Sequence, residues 1–323
     1  MFTCCRPRRS APLLKLALIV SSSPLLLSGA QLGREALSSF PADTQQLVYS
    51  DLVRLRASPD YPQIQARILN RQLRSFQEFL RVSGLDPEKD LDEVVLGWRG
   101  KTQDASGFFG MAQGRFQPER IHAYYAQTGL PLRQYAGSDL FAFGSGEDPA
   151  DIFFSFLDSS LAAFGRLPDL KAILDVRQGS ANALETNASF ANWEAELEDT
   201  APQWGILTGP SVANLAARWV SGGKGSSVAP ASLLGLVQAV LYEVEWGGGF
   251  NSHLAVVCQN AQNASALAAL LKLLPGAGQA PADSVGAGAN PALQYLEAHV
   301  NGSRVEINVT GPAEALDQLL QSN

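Results

Sequence analysis

The order of local signals along the chain predicts an α+β protein built as two similar βαββαβ halves, with antiparallel sheets covered by helices. Three observations lead there. The turn dipeptides Asp43-Thr44 and Asp199-Thr200 each open a short apolar run of strand character, Leu47-Val48-Tyr49 in one half and Trp204-Gly205-Ile206-Leu207 in the other. A strand ending in tryptophan near glycine recurs, Val94-Val95-Leu96-Gly97-Trp98 and Val244-Glu245-Trp246-Gly247. Each half then closes on a hairpin, around Gly137-Ser138 and around Asn301-Gly302-Ser303. The sequence β, α, β, β, α, β read twice is the split βαβ, or ferredoxin-like, plan.

The elements follow in order. After the first strand, Ile64, Ile68, Leu73, Phe76, Phe79 and Leu80 fall at helical spacing and predict a helix over 61–82. The second half has helical stretches at 212–219 and 231–241. Strands at 94–100 and 242–248 lead into return strands at 107–113 and 252–259, and helices follow at 118–127 and 263–274. The first of these opens on Pro118-Glu119, which suits the orphan amides and positive dipole of a helix N-terminus. The closing hairpins pair 132–136 with 139–143 and 295–300 with 304–309, the second through Asn-Gly, whose residues tolerate positive φ.

Between the halves, 147–198 holds a strand at 152–157 and a helix at 168–176, so it reads as an integrated connecting segment and not a linker. The expected division is 1–30 signal peptide or N-terminal anchor, 41–146 first half, 147–198 connection and 199–323 second half. Segments 221–230 and 276–290, rich in Gly, Ala, Ser and Pro, read as surface loops.

The N-terminus has the layout of an export signal. Basic residues run through Lys15, an apolar stretch covers 16–27, and Ser28-Gly29-Ala30 supplies small side chains for cleavage. That stretch falls short of the ~20 apolar residues of a bilayer span and is broken by Ser21-Ser22-Ser23-Pro24, which favours cleavage after Ala30. Membrane association is expected only if the segment is retained. Cys4 and Cys5 would leave with it, and Cys258 remains as a lone thiol read as a buried small hydrophobe.

Composition excludes other classes. Apolar residues make up 46% and charged residues 17%, against a usual ~25%, so the chain packs a core. The first thirty residues hold Arg6, Arg8, Arg9 and Lys15 and no carboxylate. Subtracting those four from 24 leaves 20 basic against 31 acidic side chains, a balance of −11. That surface repels polyphosphate, so no nucleic-acid partner is expected.

No pattern of catalytic, cofactor or metal-binding residues emerges. His122, His253 and His299 lie far apart in sequence, with no zinc-ligand spacing. No Gly-x-Ser-x-Gly turn occurs, and Gly225 stands where a phosphate loop needs Ser or Thr. The acidic clusters Asp86, Glu88, Asp90, Asp92, Glu93 and Glu194, Glu196, Glu198, Asp199 lack the glycine and terminal glutamate of a calcium loop and read as solvated turns and helix ends. Trp98 and Trp246, at equivalent strand ends, are the residues marked for a cleft or a ligand-stacking site, with sheet packing as the plainer role.

The stretch from Pro41-Ala42-Asp43-Thr44 through Val48-Tyr49-Ser50-Asp51-Leu52 carries a family likeness. So do Phe156-Leu157-Asp158-Ser159-Ser160-Leu161, Leu170-Lys171-Ala172-Ile173-Leu174-Asp175 and 187–190. Together they resemble uncharacterised bacterial exported or membrane-anchored proteins classed under domains of unknown function. The resemblance implies bacterial origin and an extracytoplasmic place, and supplies no catalytic residue. The expected function is a non-enzymatic binding or structural envelope protein whose partner is an unknown protein or small ligand docked between the halves. The alternative is an extracytoplasmic hydrolase that assembles distant acids around His122 or His253.

Overall fold

The structure, a computed structural model, describes residues 30–68, 80–81, 85–99, 108–197, 201–209, 211–212, 235–271 and 296–311. In chain order these form α1 (Ala30–Ser39), β1 (Thr44–Asp51), α2 (Leu52–Arg56), α3 (Tyr61–Ile68), α4 (Pro87–Asp90), β2 (Leu91–Arg99) and β3 (Phe108–Gly114). Next come α5 (Pro118–Thr128), β4 (Leu132–Tyr135), β5 (Ser138–Phe143), β6 (Ile152–Phe156), β7 (Leu161–Arg166), α6 (Leu167–Arg177) and a 3₁₀ turn (Leu184–Thr186). The last are α7 (Ala188–Leu197), β8 (Gln203–Thr208), β9 (Val237–Trp246), β10 (Phe250–Cys258), α8 (Ala261–Leu271), β11 (Leu296–Asn301) and β12 (Arg304–Gly311).

All twelve strands join one antiparallel sheet in the order β11-β12-β10-β9-β8-β1-β2-β3-β7-β6-β5-β4. The α+β class and the antiparallel pairing match the sequence reading, but the expected pair of ferredoxin-like sheets is not what the chain builds. A split βαβ unit leaves room for a third strand between the two that flank its helix. Here β2 lies directly beside β1 and antiparallel to it, with Tyr49 opposite Val95. The halves therefore meet in a continuous sheet, Tyr49 of β1 opposite Trp204 of β8, and no cleft divides the sheet between them.

Each half opens with a three-strand meander, β1-β2-β3 or β8-β9-β10, and the two stand back to back at the β1/β8 seam. Beyond β3 the sheet continues with β7, β6, β5 and β4. Beyond β10 it continues with β12 and β11. Segment 147–198 supplies β6 and β7 to this order, along with α6 and α7.

Side-chain alternation sorts the core into two faces. On the first face, Leu47, Tyr49, Val95, Phe109, Met111, Trp204, Ile206, Ala239 and Leu241 pack under Leu32, Ala36 and Leu37 of α1, Leu170, Ile173 and Leu174 of α6, and Phe190 and Leu197 of α7. The second face divides in two. Over the first half, Val94, Phe108, Phe154 and Phe164 meet Ile121 and Tyr125 of α5. Over the second, Val240, Val256, Val305 and Ile307 meet Ala264, Leu267 and Ala268 of α8.

One expected helix is corrected. Within 231–241 the chain enters β9 at Val237, and the strand is buried on both sides, Ala239 and Leu241 on one face and Val240 on the other. A continuous apolar run of this kind fits a helix and a doubly covered strand equally well. The two-residue β4–β5 turn is Ala136-Gly137, one place earlier than read, since Tyr135 pairs with Ser138. The loops expected at 221–230 and 276–290, and most of the helix at 212–219, lie outside the described residues.

Candidate functional site

Trp98 and Trp246 occupy matching places. Trp98 pairs with Phe108 at the far end of the β2/β3 ladder, and Trp246 pairs with Phe250 at the far end of the β9/β10 ladder. Both lie on the second face and pack against its clusters, Trp98 over the first half and Trp246 over the second.

They do not meet. Register carries the row of Trp98 through Gln46 and Leu207 to Val240, so Trp246 stands six residues further along β9 and three strands across. That is roughly 20 Å along the strands and about 14 Å sideways. Each ring serves its own half, and no shared stacking site is formed from the pair.

The three histidines fall in two places. His122, on α5, has Nε2 3.5 Å from Asp139 of β5 and meets the Phe141 ring edge-on at 4.9 Å. His253 and His299 lie together on the first face of the second half, where β10, β12 and β11 run past the cover of α7. Alternation puts Val305, Ile307 and Val309 of β12 into the core, so Arg304, Glu306 and Asn308 emerge on the opposite side. One lateral row there reads Glu243, His253, Asn308, Glu297, and the next places Glu306 opposite His299.

His253 Nε2 lies 3.1 Å from Glu306 Oε2, and the His253 side chain is 45% exposed. Arg304 is held at the border of this face by Glu196 of α7, with Nη2 to Oε2 at 2.9 Å. Apart from Ala255 and Val257 of β10, which join the first-face core, no described helix covers these strands on this side. Among the described residues no group of three or more His, Cys, Asp or Glu side chains converges as a metal site. Sequence reading separated the two histidines because register, which brings strand and hairpin together, is invisible before the pairing is known.

Other acids are occupied by structure. Asp86 caps α4 by accepting from the Glu88 N–H at 3.1 Å, and its ion pair with Lys89 spans 2.9 Å. Glu88 accepts from the Tyr61 hydroxyl at 2.7 Å and from Gln65 Nε2 at 2.6 Å, fastening α3 to α4. Glu194, expected to be solvated, is instead 2% exposed. Its carboxylate packs where α1 passes at Gly33, since a Cβ added to that glycine would come within 2.6 Å of Oε1.

Asp60 accepts from both the Gly248 and Gly249 N–H groups, at 2.9 and 3.0 Å, so a loop of the first half grips the β9–β10 turn of the second. Asp169, at the start of α6, lies 3.5 Å from Arg99, which also holds Asp43 at 2.8 Å. Burial raises the Asp169 carboxyl against the opposing pull of Arg99 and Arg166. Cys258 is buried in the second-half core, and burial pushes its thiol up.

The Tyr61 contact yields a pH prediction. Burial first, and then the hydrogen bond and charge of Glu88, push the Tyr61 phenol from 10.0 to about 12. Above pH 10.0 the unfolded chain releases this proton while the folded chain keeps it, so stability falls as pH rises toward about 12. Tyr61→Phe, which cannot ionise, should show a shallower loss of stability over that window in denaturant melts taken at a series of pH values. Some slope persists in the variant, because burial also raises Tyr125 and Tyr242.

Comparison with known protein families and with curated proteins gives no match. Among solved structures, the chain is similar to crystal form I of TP0453, a Treponema protein, at 10% identity and a TM-score of 0.51, over 89% of this chain and 96% of that one. Crystal forms III and IV of the same protein align at TM-scores of 0.46 and 0.47, with 10% and 12% identity. At such identity the likeness is one of fold. No helix among the described residues is long and apolar enough to cross a membrane.

Proposed function

We propose that this chain is an extracytoplasmic, non-enzymatic protein that binds a cationic partner on the first face of the second half, on the part of β9, β10, β12 and β11 that lies beyond the core residues Ala239, Leu241, Ala255 and Val257 and that no described helix covers. The observation that carries the reading is the make-up of that face. A solvated side on an antiparallel sheet is ordinary. Among the described residues this one sets Glu243, Glu245, Glu297 and Glu306 with two imidazoles against a single guanidinium, Arg304, which Glu196 already engages. Fields of one sign steer and orient an oppositely charged surface.

Export is part of the same proposal and rests on the N-terminal layout and on the resemblance to exported bacterial proteins of unknown function. Cleavage after Ala30 would leave Leu32, Ala36 and Leu37, which fill the core under α1, on the mature chain. The back-to-back meanders, with Trp98–Phe108 matched by Trp246–Phe250, favour an internal duplication as the origin of the two halves. The hydrolase reading keeps one specific support, the approach of His253 to Glu306. Only the His253 side of the pair is well exposed, and Glu306 Oε2 is shut away from solvent. Among the described residues no third His, Cys, Asp or Glu converges on them to complete a catalytic group, and for this reason binding is preferred.

An oligolysine peptide serves as the probe. Replacing Glu243, Glu245 and Glu297 together by Gln should weaken its binding by about tenfold at low salt, while neutralising Glu119, Glu147 and Asp148 elsewhere should have a far smaller effect. Equal losses from the two sets, measured by calorimetry, would refute a localised docking face. Loss of a hydrolytic activity in His253→Ala would instead favour the enzyme.

A further inference from the structure

The two ends of the sheet are finished differently. At one end β4 is four residues long, follows Pro131, and has two of its four side chains tied inward. Arg133 donates to the Gly146 carbonyl and to Glu147, and the Tyr135 hydroxyl donates to Asp175 at 2.8 Å. Short strands, proline and inward ties are the usual means of keeping an edge from pairing with another chain.

At the other end β11 is six residues long and runs in unbroken register with β12. It contains neither lysine nor proline, and among the described strands nothing pairs with its outer side. Val300 on it is 46% exposed, one of three large apolar side chains so exposed among the described residues.

We infer that β11 pairs antiparallel with β11 of a second copy about a two-fold axis through Ala298, joining two sheets into one. The register follows from the sequence of the strand itself. With Ala298 opposite Ala298, Glu297 of each copy faces His299 of the other, and Val300 faces residue 296, a leucine. The charged and imidazole groups fall on the first face and the apolar positions on the second, as they do within the sheet. An isologous contact needs this self-complementarity, in which each residue meets a partner that meets it in return.

The backbone imposes no conflict. Residues paired about Ala298 have the same parity, so whichever amides and carbonyls point away from β12 in one copy find their counterparts doing so in the other. A neutral imidazole suffices for the Glu297–His299 contact, because its N–H donates to the carboxylate. The main-chain ladder supplies attraction, and the side-chain pairs fix the register.

The test uses sedimentation and native mass spectrometry of the exported chain with two single variants. Glu297→Lys sets a cation opposite His299 twice in its homodimer, and His299→Glu sets two carboxylates opposite Glu297. Each variant alone should dimerise about tenfold more weakly than the parent. Mixed together they should form a heterodimer close to parental strength, since every cross-strand pair is then opposite in sign or complementary. A misfolded variant could not be rescued in this way.

Hydrogen exchange should show β11 amides becoming protected as the dimer forms. A parent chain that stays monomeric at high concentration overturns the inference. So does a dimer indifferent to both substitutions, or a monomer whose β11 amides are already slow, which would mean that another segment occupies this edge.

Discussion

Trp204→Ala should cost about 3–5 kcal/mol of folding free energy, the range for deleting a large aromatic from a packed core. Trp204 is 1% exposed. Its ring stacks on Tyr49 with centroids 5.1 Å apart and planes 20° apart, directly across the β1/β8 seam. Above it α1 comes so close that a Cβ at Gly33 would lie 3.1 Å from the indole. Truncation therefore opens a cavity bounded by two strands and a helix that are held by their own ladders and cannot collapse into it. Against a total stability of about 5–15 kcal/mol, the loss is a large share.

The same variant tests how the halves are coupled. Because β1 and β8 share a ladder, disturbance at the seam should lower hydrogen-exchange protection in both β3 and β10, and chemical denaturation should shift as one transition. If only one half loses protection, the halves are separate cooperative units and the continuous sheet is not what couples them.

How much of this was legible depends on what each signal measures. Strands β1, β2, β8 and β10 and helix α5 were read correctly because turn residues, proline and short apolar runs act locally. Strand β7, Leu-Ala-Ala-Phe-Gly-Arg, was missed. It has no β-branched residue and is buried through its first five positions, so neither propensity nor alternation marks it. Helices α1 and α7 were missed for a related reason. Their small residues, Ala36 on α1 and Ala191 on α7, are there to let helix and sheet approach, which only the tertiary arrangement explains.

The sheet order was the larger failure. The same run of strands and helices suits a split plan or a meander, and the choice rests on which strand lies beside β1, a non-local fact. The acidic, histidine-bearing face was hidden likewise. Glu243, His253, Glu297 and Glu306 span more than sixty positions of sequence, and only register lines them up.

Gly110→Ala is expected to destabilise by about 3 kcal/mol, the upper part of the range for overpacking, although it adds a single methyl group. The cause is space and not backbone conformation. A Cβ at Gly110 would sit 2.4 Å from the Val95 carbonyl oxygen and 2.7 Å from the Phe164 ring. The ring has somewhere to turn, but the carbonyl belongs to the backbone of β2 and cannot step aside without straining the β2/β3 ladder.

The surrounding pattern explains why a glycine stands there. Gly110 is opposite Phe164 in register, and on the other face Phe109 lies between Gly97 and Gly165, so large rings rest across strands that carry no side chain. This keeps the sheet thin enough for α1 to bring Phe40 against Phe109, edge to face at 4.9 Å. Gly247→Ala provides the contrast, because a Cβ there meets nothing within 4 Å, and its stability should stay within about 0.5 kcal/mol of the parent. Equal denaturation midpoints for the two variants would show that the aromatic rings are not held against glycine as the register requires.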